Sequence, residues 1–296
     1  AWEDLRAKGL VRTTRIIESV EGPFVQVGGR QILLFASNDY LGLGQHPKVL
    51  EASRSVDQLG WAPASSRLLS GTTRLHISLE ESLAEFLGTE SALFFPSGYM
   101  ANLGLLSSVG GPDVTVFSDE ENHASLIDAC RLSRSPVEVF PHGNLPFVRQ
   151  ALARPGEKVL LTDSVFSMSG AVAPLSELSD IAREKGADLI VDEAHGFGVF
   201  GNGRGVIAEA GIDVPLRTVT LSKAAGSMGG VVAGEKALVD YLRTKARTFM
   251  FTTAPPPSIC AAALHSLALL AEGSAREKLW ENIRDFSPQA TSHIIP

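Results

Sequence analysis

A chain of 296 residues, 44% of them hydrophobic, is long enough to bury a large core and predicts one large domain plus a smaller piece. Its net charge of -7, from 26 basic and 33 acidic residues, and the absence of a basic cluster longer than "RTKAR" at 243–247 argue against nucleic acid as a partner. Cys130 and Cys260 lie in apolar patterns without metal-ligand spacing and read as buried thiols of a reducing compartment, which leaves no metal site.

The chain opens on "AWEDLRAKGL", a charged, amphipathic helix rather than a signal-like segment. "FVQVGGRQILLF" then alternates apolar residues around Gly28-Gly29, a two-residue hairpin signal. "SNDYLGLGQHPKVLEAS" is a loop running into a helix. The helix "RLHISLEESLAEFLG" is expected to end on Gly88 as a C-cap, with "SALFF" following as a strand. Helices and short apolar strands alternate from there: "VTVFS", "PVEVF", "KVLLTD", "ADLIVD" and "RTVTL" are the further strands. Strands apolar on both faces and separated by helices imply an α/β fold with a mainly parallel sheet covered on both sides. "APPPS" at 254–258 is the best boundary, because consecutive prolines continue neither a helix nor a central strand. The expected organisation is an N-terminal helix and hairpin arm over 1–45, a large domain over 46–255 and the start of a further domain over 256–296. No apolar stretch reaches eighteen residues, so no membrane partner is expected and the cytoplasm is the expected location.

Ligands of such sheets bind at the carboxyl ends of the strands. Polar residues collect there: Ser97-Gly98-Tyr99 after "SALFF", Asp119 to His123 after "VTVFS", Ser164 to Ser169 after "KVLLTD", Asp192 to His195 after "ADLIV" and Ser222-Lys223 after "RTVTL". Taken alone, Lys223 is a surface lysine in a turn and Asp192 a turn cap. "DE" after a strand is also a Walker B pattern, but no G-x-x-x-x-G-K-[ST] accompanies it. "GPFVQVGG" and "GNGRG" lack a following helix in dinucleotide register, and Gly201, Gly203 and Gly205 fit a tight turn. Pyridoxal phosphate is the cofactor that needs both a lysine for its aldehyde and a carboxylate to keep its ring nitrogen protonated. Its phosphate suits a helix N-terminus such as the one opened by Ser97, Gly98 and Tyr99, and His123 is placed to stack on its ring.

With "SNDYLGL", "SGYMAN", "SDEENHASLIDACRLS", "VFSMSGAVAPL", "VDEAHGFGVFG" and "TLSKAAGSMGG" in this order, the chain resembles the α-oxoamine synthases, fold-type I pyridoxal phosphate enzymes, over nearly its whole length. "SRLLSGT", "SGYMAN" and "NHASLIDACRLS" favour the member that condenses alanine with a pimeloyl thioester. The resemblance implies that Lys223 is joined to the cofactor aldehyde and then acts as general base. Asp192 would pair with the pyridine nitrogen, His195 would hydrogen-bond the ring hydroxyl, and His123 would stack and polarise the reacting group. It further implies Ser167 near that hydroxyl, Thr220 as a phosphate ligand beside Gly98 and Tyr99, and Asn38 near the amino-acid substrate. Thr252 or Thr253 would reach the phosphate of a partner subunit across a homodimer. Amino acid and acyl-CoA are the implied small-molecule partners. Arg67 and Arg74, which flank "LLSGTT", meet either CoA phosphates or acidic residues in surface salt bridges.

Two departures from the family pattern carry expectations. The family continues into a full C-terminal domain holding an arginine for the substrate carboxylate, and no residue here takes that role. Phe197 stands where family members often have threonine, and is expected to narrow the site mouth or change a contact near His195. His46, His76, His142, His265 and His293 form no metal spacing and are expected on helix faces or at caps.

Overall fold

The alternation around Gly28-Gly29 produces its hairpin. In the computed structural model, which describes residues 1–296 apart from the side chain of Asp57, helix α1 (Trp2–Ala7) is followed by strands β1 (Ser19–Glu21), β2 (Phe24–Val27) and β3 (Arg30–Leu33). They form an antiparallel sheet in that order. Gly28 and Gly29 hold φ of 58° and 72°, the paired positive values that a tight type I′ connection demands. These elements belong to one compact unit, Ala1–Ser37, and the rest of the chain, Asn38–Pro296, to a second.

In the second unit, α2 (Pro47–Arg54) and α3 (Arg74–Leu87) precede a regular alternation. It runs β4 (Ser91–Phe95), α4 (Gly98–Val109), β5 (Val114–Asp119), α5 (Ala124–Ser133), β6 (Val137–Phe140), α6 (Leu145–Ala151) and β7 (Glu157–Asp163). It continues with α7 (Leu175–Lys185), β8 (Asp188–Asp192), α8 (Val206–Ala210), β9 (Leu216–Thr220), β10 (Gly230–Gly234), α9 (Lys236–Lys245) and α10 (Arg247–Met250), and ends in α11 (Pro257–Glu272) and α12 (Ser274–Phe286). Gly88 closes α3 in the left-handed conformation, as its sequence predicts.

Seven strands form one sheet in the order β4-β10-β9-β8-β7-β5-β6. Strands β9, β8, β7, β5 and β6 are mutually parallel, whereas β10 runs antiparallel to both of its neighbours. The sheet is covered on both faces, and successive residues show it. Leu161 and Ile190 pack with Leu105, Leu126 and Leu242 from α4, α5 and α9, while Leu160 and Leu189 pack with Val148, Leu178 and Ile181 from α6 and α7. A third cluster joins Phe94, Val219 and Val231 to Leu79 and Leu83 of α3 and Cys260 and Leu267 of α11. Cys130 and Cys260 are both free and buried. Among the described residues no single helix is long and apolar enough to cross a membrane.

Strand β10 is not foreseen by the sequence reading. "GVVAG" is short and bounded by glycine, and its identity as a central strand comes from pairing with Phe95, far back in the sequence, and with Thr220 across the loop that holds Lys223. Phe197 corrects a second expectation. It is 1% exposed and packs edge-on against Phe86 at 5.9 Å within the α3–α11 core, so it fills the interior instead of the site mouth.

Candidate cofactor site

Parallel pairing brings the ends of β7 and β8 into line beside β9. Asp163 of β7 is the register partner of Asp192 of β8, which is in turn the partner of Thr218 of β9. Asp192 is 4% exposed, and its carboxylate is held from two sides. Oδ1 accepts the Ala194 N–H at 2.8 Å, and Oδ2 accepts Asn102 Nδ2 at 2.6 Å. Asn102 comes from the second turn of α4 and spends its other amide hydrogen on Ser125 Oγ at 2.8 Å. Asp163 lies beside Asp192, its Oδ2 accepting the backbone N–H of His123 at 2.7 Å. Burial, and then the Asp192 charge, hold the Asp163 carboxyl well above the usual range.

Lys223 follows β9 in a turn closed by the Gly226 N–H on the Lys223 carbonyl at 2.8 Å. The small residues after it are a steric requirement. A Cβ on Gly226 would lie 2.1 Å from Gly44 N, and one on Gly229 would lie 2.2 Å from the Phe94 ring. Lys223 Nζ is 2.6 Å from His195 Nε2. Burial lowers the Lys223 pKa, while the Asp192 and Asp163 carboxylates pull it back up. His195 is pushed down to about 3 by burial and then by the Lys223 charge, so its ring is neutral. Its other nitrogen, Nδ1, is 2.6 Å from the Tyr40 hydroxyl, which also reaches Asn38 Oδ1 at 3.2 Å.

A third group lies at the start of α4. Ser97 is its N-cap, with Oγ accepting the Met100 N–H at 3.2 Å. Gly98 comes so near β9 that a Cβ there would sit 3.3 Å from Thr220 Oγ1, and a Cβ on Gly230 would meet Ser97 O at 2.4 Å and Gly98 N at 2.5 Å. Thr220 Oγ1 bonds the Gly229 carbonyl at 3.0 Å and Ser222 Oγ at 2.8 Å. Tyr99 is exposed, with its hydroxyl donating to Asp128. His123 caps α5 by accepting the Ser125 N–H at 3.2 Å, with its ring 6.4 Å from that of Tyr99.

Other expected residues lie in different surroundings. Ser167 is exposed in the turn after β7, and Arg74 is exposed at the first position of α3. Thr252 is half-buried, and exposed Thr253 bridges to Ser66 after α10. Arg67 corrects the expectation of a surface ion pair. It is 4% exposed, and its guanidinium donates to Glu80 Oε1 at 2.9 Å, the Phe94 carbonyl at 3.3 Å and Thr72 Oγ1 at 3.0 Å. Every nitrogen of that group is committed to the protein.

Four residues near the cluster escape the sequence reading. Asn102 lies one helical turn past Gly98 in "SGYMAN", and Asp163 ends "KVLLTD" as Asp192 ends "ADLIVD", so both carried a local signal. Tyr40 stands two residues after Asn38 in "SNDYLGL". His293 had no signal and corrects a helix-face or capping expectation. It packs edge-on against Tyr40 at 4.2 Å, both ring nitrogens are buried without a partner, and burial and Lys223 push it down to about 4. His76 meets its expectation by capping α3 with Thr73.

These residues fit pyridoxal phosphate. A buried, doubly held carboxylate suits a cationic ring nitrogen, a buried amine suits an aldehyde, and the close-packed α4 N-terminus suits a phosphate. Asn102 Oδ1, buried without a partner, marks a polar group left for a ligand beside Asp192.

Comparison with known proteins agrees. The family model for aminotransferase class I and II matches residues 30–289. An 8-amino-7-oxononanoate synthase of Geobacter metallireducens is 44% identical over 294 residues, covering 96% of this chain and 75% of that protein. A serine palmitoyltransferase of Sphingomonas wittichii superimposes with a TM-score of 0.90 at 34% identity, covering 97% of this chain and 74% of the other. A structure of SPT with PLP gives 0.89 at 33% identity, covering 95% and 73%.

Proposed function

We propose, for a chain that belongs to the aminotransferase class I and II family and is a pyridoxal phosphate-dependent acyltransferase, that it condenses L-alanine with pimeloyl-CoA or another pimeloyl thioester. The products are 8-amino-7-oxononanoate, free CoA and carbon dioxide, a step of biotin synthesis. The observation that carries the reading is the convergence of Asp192, Lys223 and His195 at adjacent strand ends. Similarity to the Geobacter synthase supports the choice of substrates.

Bound pyridoxal phosphate supplies an electron sink for a carbanion at the amino acid α-carbon. Lys223 would hold the aldehyde, and the burial that lowers its pKa suits its amine to a general-base role toward the α-proton. Asp192 would pair with the ring nitrogen, and Asn102 and the Ala194 amide hold its carboxylate in place. His123 would stack on the ring and polarise the reacting group, while His195 and Ser167 would serve the ring hydroxyl. Gly98, Tyr99 and Thr220 would hold the phosphate, and Asn38 would lie near the amino acid. In a homodimer, Thr252 or Thr253 would reach the phosphate held by the partner subunit.

The test is release of free thiol and carbon dioxide by the cofactor-loaded protein given alanine and pimeloyl-CoA, compared with serine and palmitoyl-CoA and with glycine and acetyl-CoA. The first pair is expected to give the highest kcat/KM. Preference for serine and palmitoyl-CoA would replace this reading with the one that the Sphingomonas enzyme's TM-score of 0.90 favours.

A further inference from the structure

Three hydrogen bonds in the site form a chain whose direction follows from what each atom can do. Lys223 Nζ lies 2.6 Å from His195 Nε2, His195 Nδ1 lies 2.6 Å from the Tyr40 hydroxyl, and that hydroxyl lies 3.2 Å from Asn38 Oδ1. An amide oxygen only accepts, so the single phenolic proton goes to Asn38. The Tyr40 oxygen then offers His195 only lone pairs, and Nδ1 must donate. A neutral imidazole has one N–H, which leaves Nε2 bare and turned toward an ammonium that only donates.

We propose that Tyr40 is a positioning residue that selects the Nδ1–H tautomer of His195, so that a nitrogen lone pair, not an N–H, faces Lys223. The groups around this ring act with Tyr40, because the Lys223 ammonium favours a bare Nε2 on one side while the Tyr40 oxygen favours an N–H at Nδ1 on the other. The charged and titratable groups that act on His195 are Lys223, His293 and His123, all basic, while the carboxylates of Asp192 and Asp163 act on Lys223. Among the described residues no carboxylate holds His195 as an imidazolium, and the opposite tautomer would set an N–H against the Lys223 ammonium. The Tyr40 ring is itself braced by the edge of His293 at 4.2 Å and 71°. Selection by a hydrogen bond on the far nitrogen is how imidazole orientation is generally fixed. The lone pair at Nε2 gives the Lys223 ammonium a directed acceptor, so the amine is held in one orientation at the end of its flexible side chain.

The inference rests on Lys223 as the cofactor-bearing amine for its use in turnover, but its test does not. Full-length protein carrying 15N-histidine, without cofactor, is examined by long-range proton–nitrogen correlation at neutral pH, with His195→Gln assigning the signal. The wild-type ring is expected in the Nδ1–H form. Tyr40→Phe keeps the ring packed on His293 but removes the acceptor, and the preference falls by roughly tenfold, as for loss of one net hydrogen bond, to a mixture of tautomers. Asn38→Leu, at an exposed position, frees the phenolic proton to turn to Nδ1 and likewise reduces the Nδ1–H preference to a mixture. A wild-type ring in the Nε2–H form, or a Tyr40→Phe spectrum identical to wild type, would overturn the proposal. Failure of the alanine and pimeloyl-CoA assay would leave these spectra unchanged.

Discussion

Replacing Arg67 with methionine separates a core ion pair from a thioester-binding arginine. The Arg67 and Glu80 side chains are 2% and 6% exposed and 2.9 Å apart. Without the guanidinium, Glu80 retains the Phe94 N–H at 3.0 Å and Arg243 at 3.5 Å. Removing one partner of a buried pair costs about 3 to 5 kcal/mol, because the other charge stays buried and uncompensated. The retained contacts place Arg67→Met near the low end, about 3 kcal/mol. At about 2 to 4 °C per kcal/mol for a chain approaching this size, the melting temperature falls by roughly 6 to 12 °C. Thermal unfolding followed by circular dichroism reads the loss. The double variant Arg67→Met with Glu80→Leu should regain much of it, since the stranded charge is gone. An unchanged melting temperature, combined with a tenfold rise in KM for the CoA thioester, would show that Arg67 faces substrate and that the reasoning is wrong.

Three further outcomes are expected. Gly230→Ala drives a Cβ to 2.4 Å from Ser97 O and displaces the start of α4, so pyridoxal phosphate should bind the apoprotein roughly tenfold more weakly or worse, as absorbance titration would show. Asn102→Leu removes the donor at 2.6 Å from Asp192; a charged hydrogen bond of about 1.5 to 3 kcal/mol predicts at least a roughly tenfold loss of kcat/KM, and wild-type kinetics would refute the holding role. His76, buried with Nε2 2.9 Å from the Pro255 carbonyl, has its pKa lowered from 6.5 to about 4 by burial and then Arg67. The unfolded chain therefore takes up its proton first as pH falls, and the stability present above pH 6.5 declines toward pH 4, by about 2 kcal/mol at pH 5. Urea unfolding of wild type and His76→Gln at pH 7.5 and 5 measures this, and equal acid losses in the two proteins would count against it.

The strands that build the site were legible because each is apolar on both faces. "KVLLTD" and "ADLIVD" announce burial and end in the carboxylates that meet there. Lys223 was legible through its punctuation: only glycine tolerates the approaches of Gly44 to Gly226 and Phe94 to Gly229, so the small residues advertise a crowded turn. Tyr40 and His293 were not, because their meaning comes from partners far along the chain. A tyrosine 155 positions before the histidine it touches leaves no periodic trace. Arg67 misled for the converse reason, since flanking polar residues suggest a surface loop while Glu80 and Phe94 close over it.

The central claim is that one amine carries the cofactor. The protein is loaded with pyridoxal phosphate, reduced with borohydride, digested and mapped by mass spectrometry. The account predicts stoichiometric pyridoxyl label on Lys223 and on no other lysine. Label on a different lysine, or none, would contradict it.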